Sequence, residues 1–303
     1  MANITAANVA ALRSKTGAGM MDCKKALTEA AGDMEKAVEI LRKKGLSAAA
    51  KKSGRVAAEG AVLSAGDENR GVLLEVNSET DFVAKNENFQ AFCQGVAQAV
   101  LDAKPADLDG LKNSAFPGGK TVAEATTDAI STIGENISIR RFTLFENANG
   151  LVSSYIHAGG KIGVLLELET GGVINDKIKE LAHQLAMHVA AANPSYLCRD
   201  DVPSAEVDKE KEIMAEKAKA SGKPENIIDK IVNGQINKYF GEICLLEQAF
   251  VIDPDRKVNK VVEAVAKEVG KELKLNRFAR FQLGEGIEKR SDDFAQEVAD
   301  LTK

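Results

Sequence analysis

Gly71-Val72-Leu73-Leu74-Glu75 occurs twice in this chain, because Gly163-Val164-Leu165-Leu166-Glu167 repeats it without a change. Each copy is the second arm of a candidate β-hairpin. The first arms and their turns lie at residues 60–65 and 67–70 in one copy, and at 151–157 and 159–160 in the other. An internal repeat of this kind predicts two copies of one structural unit.

The residues after each hairpin continue the repeat. Both copies place four apolar residues at one shared helical spacing: Phe89, Phe92, Val96 and Val100, and Ile178, Leu181, Leu185 and Val189. A third strand with interleaved Arg and Phe follows at 137–145 and again at 277–283. We therefore predict two related β-β-α-β half-domains with small antiparallel sheets, which is an α+β fold.

Residues 1–45 predict a separate module of three short helices. Thr5 is the N-cap candidate of the first helix, and Gly17 is its stop signal. Asp33 is the N-cap candidate of the third helix, which we expect to end before Gly45. Residues 46–59 are small and charged, and this composition predicts a linker.

A charge-rich stretch at 204–240 interrupts the second half-domain. Narrow apolar seams on either side of Ser221-Gly222-Lys223-Pro224 predict two antiparallel helices that form a coiled coil. Such a polar hairpin either projects from the body or folds down onto the sheet, and the sequence leaves both arrangements open. The expected domains are 1–55, 56–146, 147–203 joined with 241–283, the coiled coil at 204–240 and a C-terminal helix at 284–303.

Composition places the chain among ordinary globular proteins. Of its 303 residues, 44% are hydrophobic and 28% are charged. We expect no membrane span and no signal peptide, because long apolar runs and a basic leader segment are absent from the sequence. Four cysteines without a Cys-x-x-Cys pair predict reduced thiols in a cytoplasmic protein.

Charge is distributed unevenly along the chain. Residues 1–55 carry a net charge of +6, whereas the whole chain carries −5. A basic module can bind nucleic acid, but this one has no Phe, Tyr or Trp to stack on bases, and the acidic remainder opposes a phosphate backbone. Nucleic acid is therefore not favoured, and docking onto an acidic protein explains the charge equally well.

Signals of catalysis are scarce. The three histidines do not form a ligand set, and His-Glu-x-x-His, Gly-x-Ser-x-Gly and cysteine clusters are all absent. Gly17-Ala18-Gly19 lies between two predicted helices rather than between a strand and a helix, so it is not a phosphate loop. We predict no catalytic residues, no metal and no cofactor; an enzyme would need a site assembled from scattered residues.

Two segments are candidates for contact with another protein. Met20-Met21 lies between the first two helices, where the pair either plugs the small core or offers an adaptable binding surface. Ser78-Glu79-Thr80-Asp81-Phe82-Val83-Ala84 follows the first repeated strand, and Thr80 or Asp81 is a candidate cap for a helical turn. Phe82 is either tucked under this junction or presented to a partner.

These segments resemble signatures of the bacterial-type elongation factor Ts family. The matching stretches are 12–27, 75–84, Gly134-Glu135-Asn136-Ile137 with Arg140-Arg141, 187–194 and 284–289. The resemblance therefore extends along the whole chain and covers the helical module, the two half-domains and the coiled coil. Residues 105–127 are longer than the family pattern predicts, which leaves the structure of that stretch open.

The resemblance implies a non-enzymatic guanine nucleotide exchange factor that acts on elongation factor Tu. Thr80, Asp81, Phe82 and Val83 would dislodge the magnesium ion of the partner GTPase, with Phe82 as the wedge. A docking role for Leu12, Arg13, Met20 and Met21 is implied as well. Assembly as a homodimer or a heterotetramer is left open. The alternative function is a nucleic-acid-binding or structural adaptor that acts through the basic module.

Overall fold

The computed structural model describes residues 4–222 and 224–288. The chain begins with the three helices of the helical module: α1 (Ala6–Thr16), α2 (Met20–Glu29) and α3 (Met34–Lys52). Thr5 caps α1, Gly17 ends it in the left-handed region at φ 69°, and Asp33 accepts hydrogen bonds from two backbone N–H groups at the start of α3. All three capping predictions are confirmed.

The first half-domain contains the first copy of the repeat. Its elements are β1 (Glu59–Gly66), β2 (Arg70–Ser78), α4 (Glu87–Ala103), α5 (Leu108–Asn113), β3 (Ala115–Phe116), β4 (Lys120–Thr121), α6 (Val122–Ile133) and β5 (Ser138–Glu146), with a 3-10 turn at Val83–Lys85. The main sheet has the antiparallel order β1-β2-β5. Residues 105–127 thus form α5, a short hairpin and the first half of α6.

The second half-domain repeats this arrangement. Its elements are β6 (Gly150–His157), β7 (Ile162–Glu169), α7 (Asp176–Ala192), α8 (Ser204–Ala220), α9 (Glu225–Ile243), β8 (Ala249–Phe250), β9 (Asp253–Lys257), α10 (Val258–Val269) and β10 (Lys274–Gln282), with 3-10 turns at Arg199–Asp201 and Leu245–Glu247. The main sheet has the antiparallel order β10-β7-β6. The predicted α+β fold with two β-β-α-β units is confirmed.

The two main sheets pack against each other and carry their helices on the outer faces. The residues between them come from equivalent positions of the two copies: Val62, Leu73 and Phe145, and Val152, Leu165 and Phe281. A Cβ at Gly163 would lie 2.5 Å from Val62 Cγ1 and 2.7 Å from Leu73 Cδ1. The glycine that opens the repeated pentapeptide therefore provides the space in which the sheets interdigitate.

The helical module is joined to the body by more than a linker. Helix α3 runs through Gly45 to Lys52, so the predictions that it ends before Gly45 and that 46–52 are linker are wrong. A Cβ at Gly45 would lie 3.7 Å from Ser131 Cβ and 3.8 Å from Thr127 Cγ2 of α6, so this part of α3 packs beside α6 at ordinary van der Waals distance. Arg42 of α3 also pairs with Glu124 of α6.

Helices α8 and α9 form the predicted hairpin. Ala218, Ile228 and Val232 are its buried seam, and this cluster is separate from the cores of the sheets. At its base, the hydroxyl groups of Tyr196 and Tyr239 both donate to Glu206, each across 2.7 Å. The predicted C-terminal helix at 284–303 lies mostly outside the described residues; those of its residues that the structure includes, 284–288, form no helix.

Candidate protein-docking site

A short turn after β2 presents one large aromatic side chain. Phe82 is 82% exposed, whereas its neighbour Val83 is buried in the core between the sheet and α4. Val83 starts the 3-10 turn, and Asn86 then caps α4 by accepting hydrogen bonds from two backbone N–H groups. Phe82 is thus held between a buried valine and the end of a strand while its own ring meets water.

Glu135, which follows the last residue of α6 and its glycine cap, fixes this turn. Its Oε2 accepts from the backbone N–H groups of Glu79 at 3.0 Å and Thr80 at 2.9 Å. The Thr80 hydroxyl donates to Oε1 at 2.7 Å. The prediction that Thr80 or Asp81 caps a helical turn is wrong, because the turn begins after Phe82 without a side-chain cap. In the described part of the chain, the exposed Asp81 side chain makes no hydrogen bond or ion pair.

A second set of contacts ties the turn to the end of the helical module. Glu79 Oε1 accepts from the backbone N–H of Asn136 at 2.6 Å and lies 3.4 Å from Arg55 Nη1. The Asn136 side-chain amide donates to the Arg55 carbonyl at 2.7 Å. Reasoning from the sequence missed these roles of Glu135 and Asn136, although both belong to a motif that carried the resemblance.

The helical module presents a second apolar surface. Met20 and Met21 begin α2 and are 59% and 62% exposed, so they do not plug the core of the module. Arg13 is also exposed, near the C-terminal end of α1. Leu12, in contrast, is fully buried with Val9 and Cys23. The two methionines and Arg13 are accessible on the surface. Leu12 is not accessible, and it packs α1 into the core of the module.

The side chains that most often act in catalysis or bind metals, such as histidine, have structural roles where the structure describes them. His188 is buried between Gln248, at 2.9 Å from Nε2, and the backbone N–H of Val251, which donates to Nδ1 at 3.1 Å. Within residues 4–222 and 224–288, no group of three or more His, Cys, Asp or Glu side chains could hold a metal ion. Over the same range, none of the helices has the length and apolar character to cross a membrane.

These features define a twofold-repeated α+β protein in which a rigidly supported aromatic ring and a methionine pair are exposed. A family model described as elongation factor TS matches residues 79–285. Elongation factor Ts of Syntrophotalea carbinolica is 64% identical over 301 residues, covering 99% of both chains. The protein of that name from Magnetococcus marinus is 54% identical over 99% of both chains, and one from Clostridium botulinum is 50% identical over 98% of both.

This chain belongs to the elongation factor Ts family. Membership makes it a guanine nucleotide exchange factor of translation elongation rather than an enzyme that transforms a substrate. The prediction made from the sequence motifs is confirmed at this level.

Proposed function

We propose that this chain drives GDP from elongation factor Tu by inserting Phe82 beside the magnesium ion of that GTPase. Thr80, Asp81 and Val83 complete the approaching segment. The observation that carries the proposal is the 82% exposure of Phe82 on a turn that Glu135 fixes by three hydrogen bonds. A ring whose supporting backbone is already fixed loses little conformational freedom on insertion, so more of its contact energy favours binding.

The helical module supplies a second contact in this proposal. Met20 and Met21 offer flexible, polarisable side chains that adapt to an apolar groove. The net charge of +6 over residues 1–55, to which Arg13 contributes, steers the module towards an acidic surface. Leu12 supports this surface from inside the module.

Release of GDP then follows from linkage. A protein that binds nucleotide-free elongation factor Tu more tightly than the GDP-bound form must weaken GDP binding by the same factor. Each tenfold change requires about 1.4 kcal/mol of differential contact. A broad interface with one wedge at the metal can supply several such factors, and no nucleotide or metal has to bind to this chain.

Elongation factor Tu loaded with a fluorescent GDP analogue tests the proposal. We expect substoichiometric amounts of this chain to accelerate release. The double variant Met20→Ser with Met21→Ser should accelerate it less, with a nearly unchanged unfolding midpoint, because both side chains are exposed. Failure of the unmodified chain to accelerate release would reject the function, and salt-sensitive binding to RNA would then favour the adaptor alternative.

A further inference from the structure

Glu75, the last residue of the first repeated pentapeptide, is a fully buried carboxylate. Its Oε2 lies 2.6 Å from Arg141 Nε, and its Oε1 lies 3.0 Å from Arg140 Nη1. The backbone N–H of Gly284 donates to Oε1 at 2.8 Å. Burial alone would raise the pKa of Glu75, but the hydrogen bonds from Gly284, Arg140 and Arg141 outweigh it and hold the pKa below its ordinary value.

Glu167 is the counterpart of Glu75 in the second copy. Its carboxylate accepts from Arg277 Nε at 2.6 Å and from the amides of Asn276 and Asn147, both at 3.1 Å. In both copies the third strand shifts its register opposite the glutamate, so that Arg140 and Asn276 are extra residues that reach the carboxylate. Both glutamates therefore have the same structural role, which is to bind the extra residue and the neighbouring arginine of the third strand.

The surroundings of the two carboxylates differ in one respect. Beside Glu75, the chain arriving from the helical module meets the chain leaving β10. The Asn77 amide donates both to Glu75 Oε1 and to the Glu59 carbonyl, each across 3.2 Å. Gly284, at φ 68°, packs so closely on the Ala58 carbonyl that a side chain there would collide with it. Among the described residues, the groups that donate hydrogen bonds to Glu167 belong to Asn147, Asn276 and Arg277, and none of them lies in the module or in its connection to β1.

The strand that carries Glu75 and Asn77 ends at Ser78, whose hydroxyl donates to the Thr80 carbonyl at 2.9 Å. We infer that Glu75 is a positioning residue for GDP release: it fixes the connection of the helical module relative to the Phe82 turn. Met20, Met21 and Phe82 then meet the partner as one preformed surface. The inference rests on the proposed function and adds a residue that itself touches no partner.

The pair Glu75→Gln and Glu167→Gln in the full chain tests this role. Both substitutions remove the charge of one buried carboxylate, so we expect similar losses in unfolding midpoint. Only Glu75→Gln should raise the concentration needed for half-maximal GDP release by tenfold or more, while Glu167→Gln stays within twofold of the unmodified chain. An equal increase of the half-maximal concentration in the two variants, or a twofold or smaller increase in Glu75→Gln, would overturn the inference.

A distance measurement separates this inference from the proposed function. Spin labels at Lys25→Cys in α2 and Lys85→Cys beside the Phe82 turn, with Cys198→Ser removing the one thiol that is not buried, report on the chain without any partner. Glu75→Gln should broaden the distance distribution, and Glu167→Gln should leave it unchanged. An unaltered distribution in Glu75→Gln overturns the inference even if the unmodified chain releases GDP. A broadened one shows that Glu75 fixes the connection even if the unmodified chain does not release GDP, in which case the proposed function fails and the structural part of the inference stands.

Should Glu75→Gln fail to fold, Arg140→Gln takes its place. This change removes the link from Glu75 to the Glu285 carbonyl while Arg141 keeps its ion pair. Asn276→Ala, at the equivalent extra residue of the second copy, is the matched control. The same contrast in half-maximal concentration and in distance distribution is expected, and its absence would overturn the inference.

Discussion

At the scale of single residues, buried contacts and hydrogen bonds support the exposed ring of Phe82. Because the Phe82 ring is 82% exposed, it contributes little to the stability of the fold. The neighbouring Val83 is buried, however, and Glu135 holds the preceding backbone. Fold stability therefore does not explain a phenylalanine at this position. The proposed contact with a partner would explain it, because only in a complex would the ring leave water.

The Glu135 clamp can be tested separately from the ring. Glu135→Ala leaves the N–H groups of Glu79 and Thr80 without their acceptor, which should cost about 1–3 kcal/mol of unfolding free energy and slow GDP release. Asp81→Ala is the control for stability alone, since the described structure gives that side chain no bond to lose. Denaturant unfolding checks both variants, and exchange assays check Glu135→Ala. Equal stability of Glu135→Ala and the unmodified chain would contradict the clamp.

His188 should make stability depend on pH. Burial lowers its pKa below the ordinary value of 6.5 and outweighs the opposing bond to Gln248, and the neutral ring accepts from the Val251 N–H. Between the folded and unfolded pKa values the unfolded chain binds more protons, so stability should fall as pH drops below about 6.5.

Unfolding midpoints between pH 7.5 and 5.5 check this prediction. His188→Gln should flatten their pH dependence, whereas His183→Gln, at an exposed position of the same helix, should leave the dependence unchanged. An unmodified slope in His188→Gln would show that other groups cause the effect.

At the scale of elements, local patterns predicted the repeat but not its connections. The pentapeptide and the helical spacing identified β2, β7, α4 and α7, because each element has a buried face that leaves a periodic trace. The extension of α3 was missed, since Gly45 signals a stop locally, whereas in the structure the helix continues through it beside α6. Helix α6 was missed despite a local signal, the Thr121–Glu124 capping box.

The exposure of the candidate docking residues could not be predicted from local sequence patterns either, because exposure depends on tertiary packing. Met20, Met21 and Phe82 are apolar side chains that remain exposed because, in the part of the chain that the structure describes, no distant segment packs over them. The sequence identified them as candidates, but it could not distinguish a core position from a surface one. Glu135 acts across more than fifty residues of sequence, so no periodic signal marks it.

The glycine between the sheets gives a prediction at this scale. Gly163→Ala places a Cβ 2.5 Å from Val62 Cγ1, and the overpacking should cost about 1–3 kcal/mol of unfolding free energy. Gly234→Ala in α9 is the matched control: nothing lies within 4 Å of its Cβ, so it should stabilise the helix by up to about 1 kcal/mol. Denaturant unfolding measures both, and a neutral Gly163→Ala would contradict the close packing.

At the scale of the whole molecule, the β-β-α-β unit is duplicated, whereas the segments attached to the two copies differ. The paired sheets form a nearly symmetric body, in which Arg141 stacks on Phe281 and Arg277 stacks on Phe145 at 4.3 and 4.2 Å. The helical module precedes the first half-domain, which carries the Phe82 turn, whereas the coiled coil is inserted into the second half-domain. The domain boundaries and the oligomeric state remain predictions.

The coiled coil should be separable from the body. Replacing residues 210–235 by a short Gly-Ser loop keeps Glu206 and Tyr239, which brace the base. Because the seam of the hairpin is a cluster of its own, the unfolding midpoint of the remainder should change little. Calorimetry checks this expectation. A variant that is insoluble or unfolded would show that the hairpin is part of the core.

The release of fluorescent GDP by Phe82→Ala, measured with and without magnesium, tests whether Phe82 acts at the magnesium site of elongation factor Tu. Phe82→Ala should change the unfolding free energy by no more than about 0.5 kcal/mol, whereas Phe89→Ala, a fully buried control, should lose about 3–5 kcal/mol. We expect slower release by Phe82→Ala, with a deficit that shrinks when magnesium is chelated. Full release activity of a stable Phe82→Ala variant, with magnesium present, would contradict it.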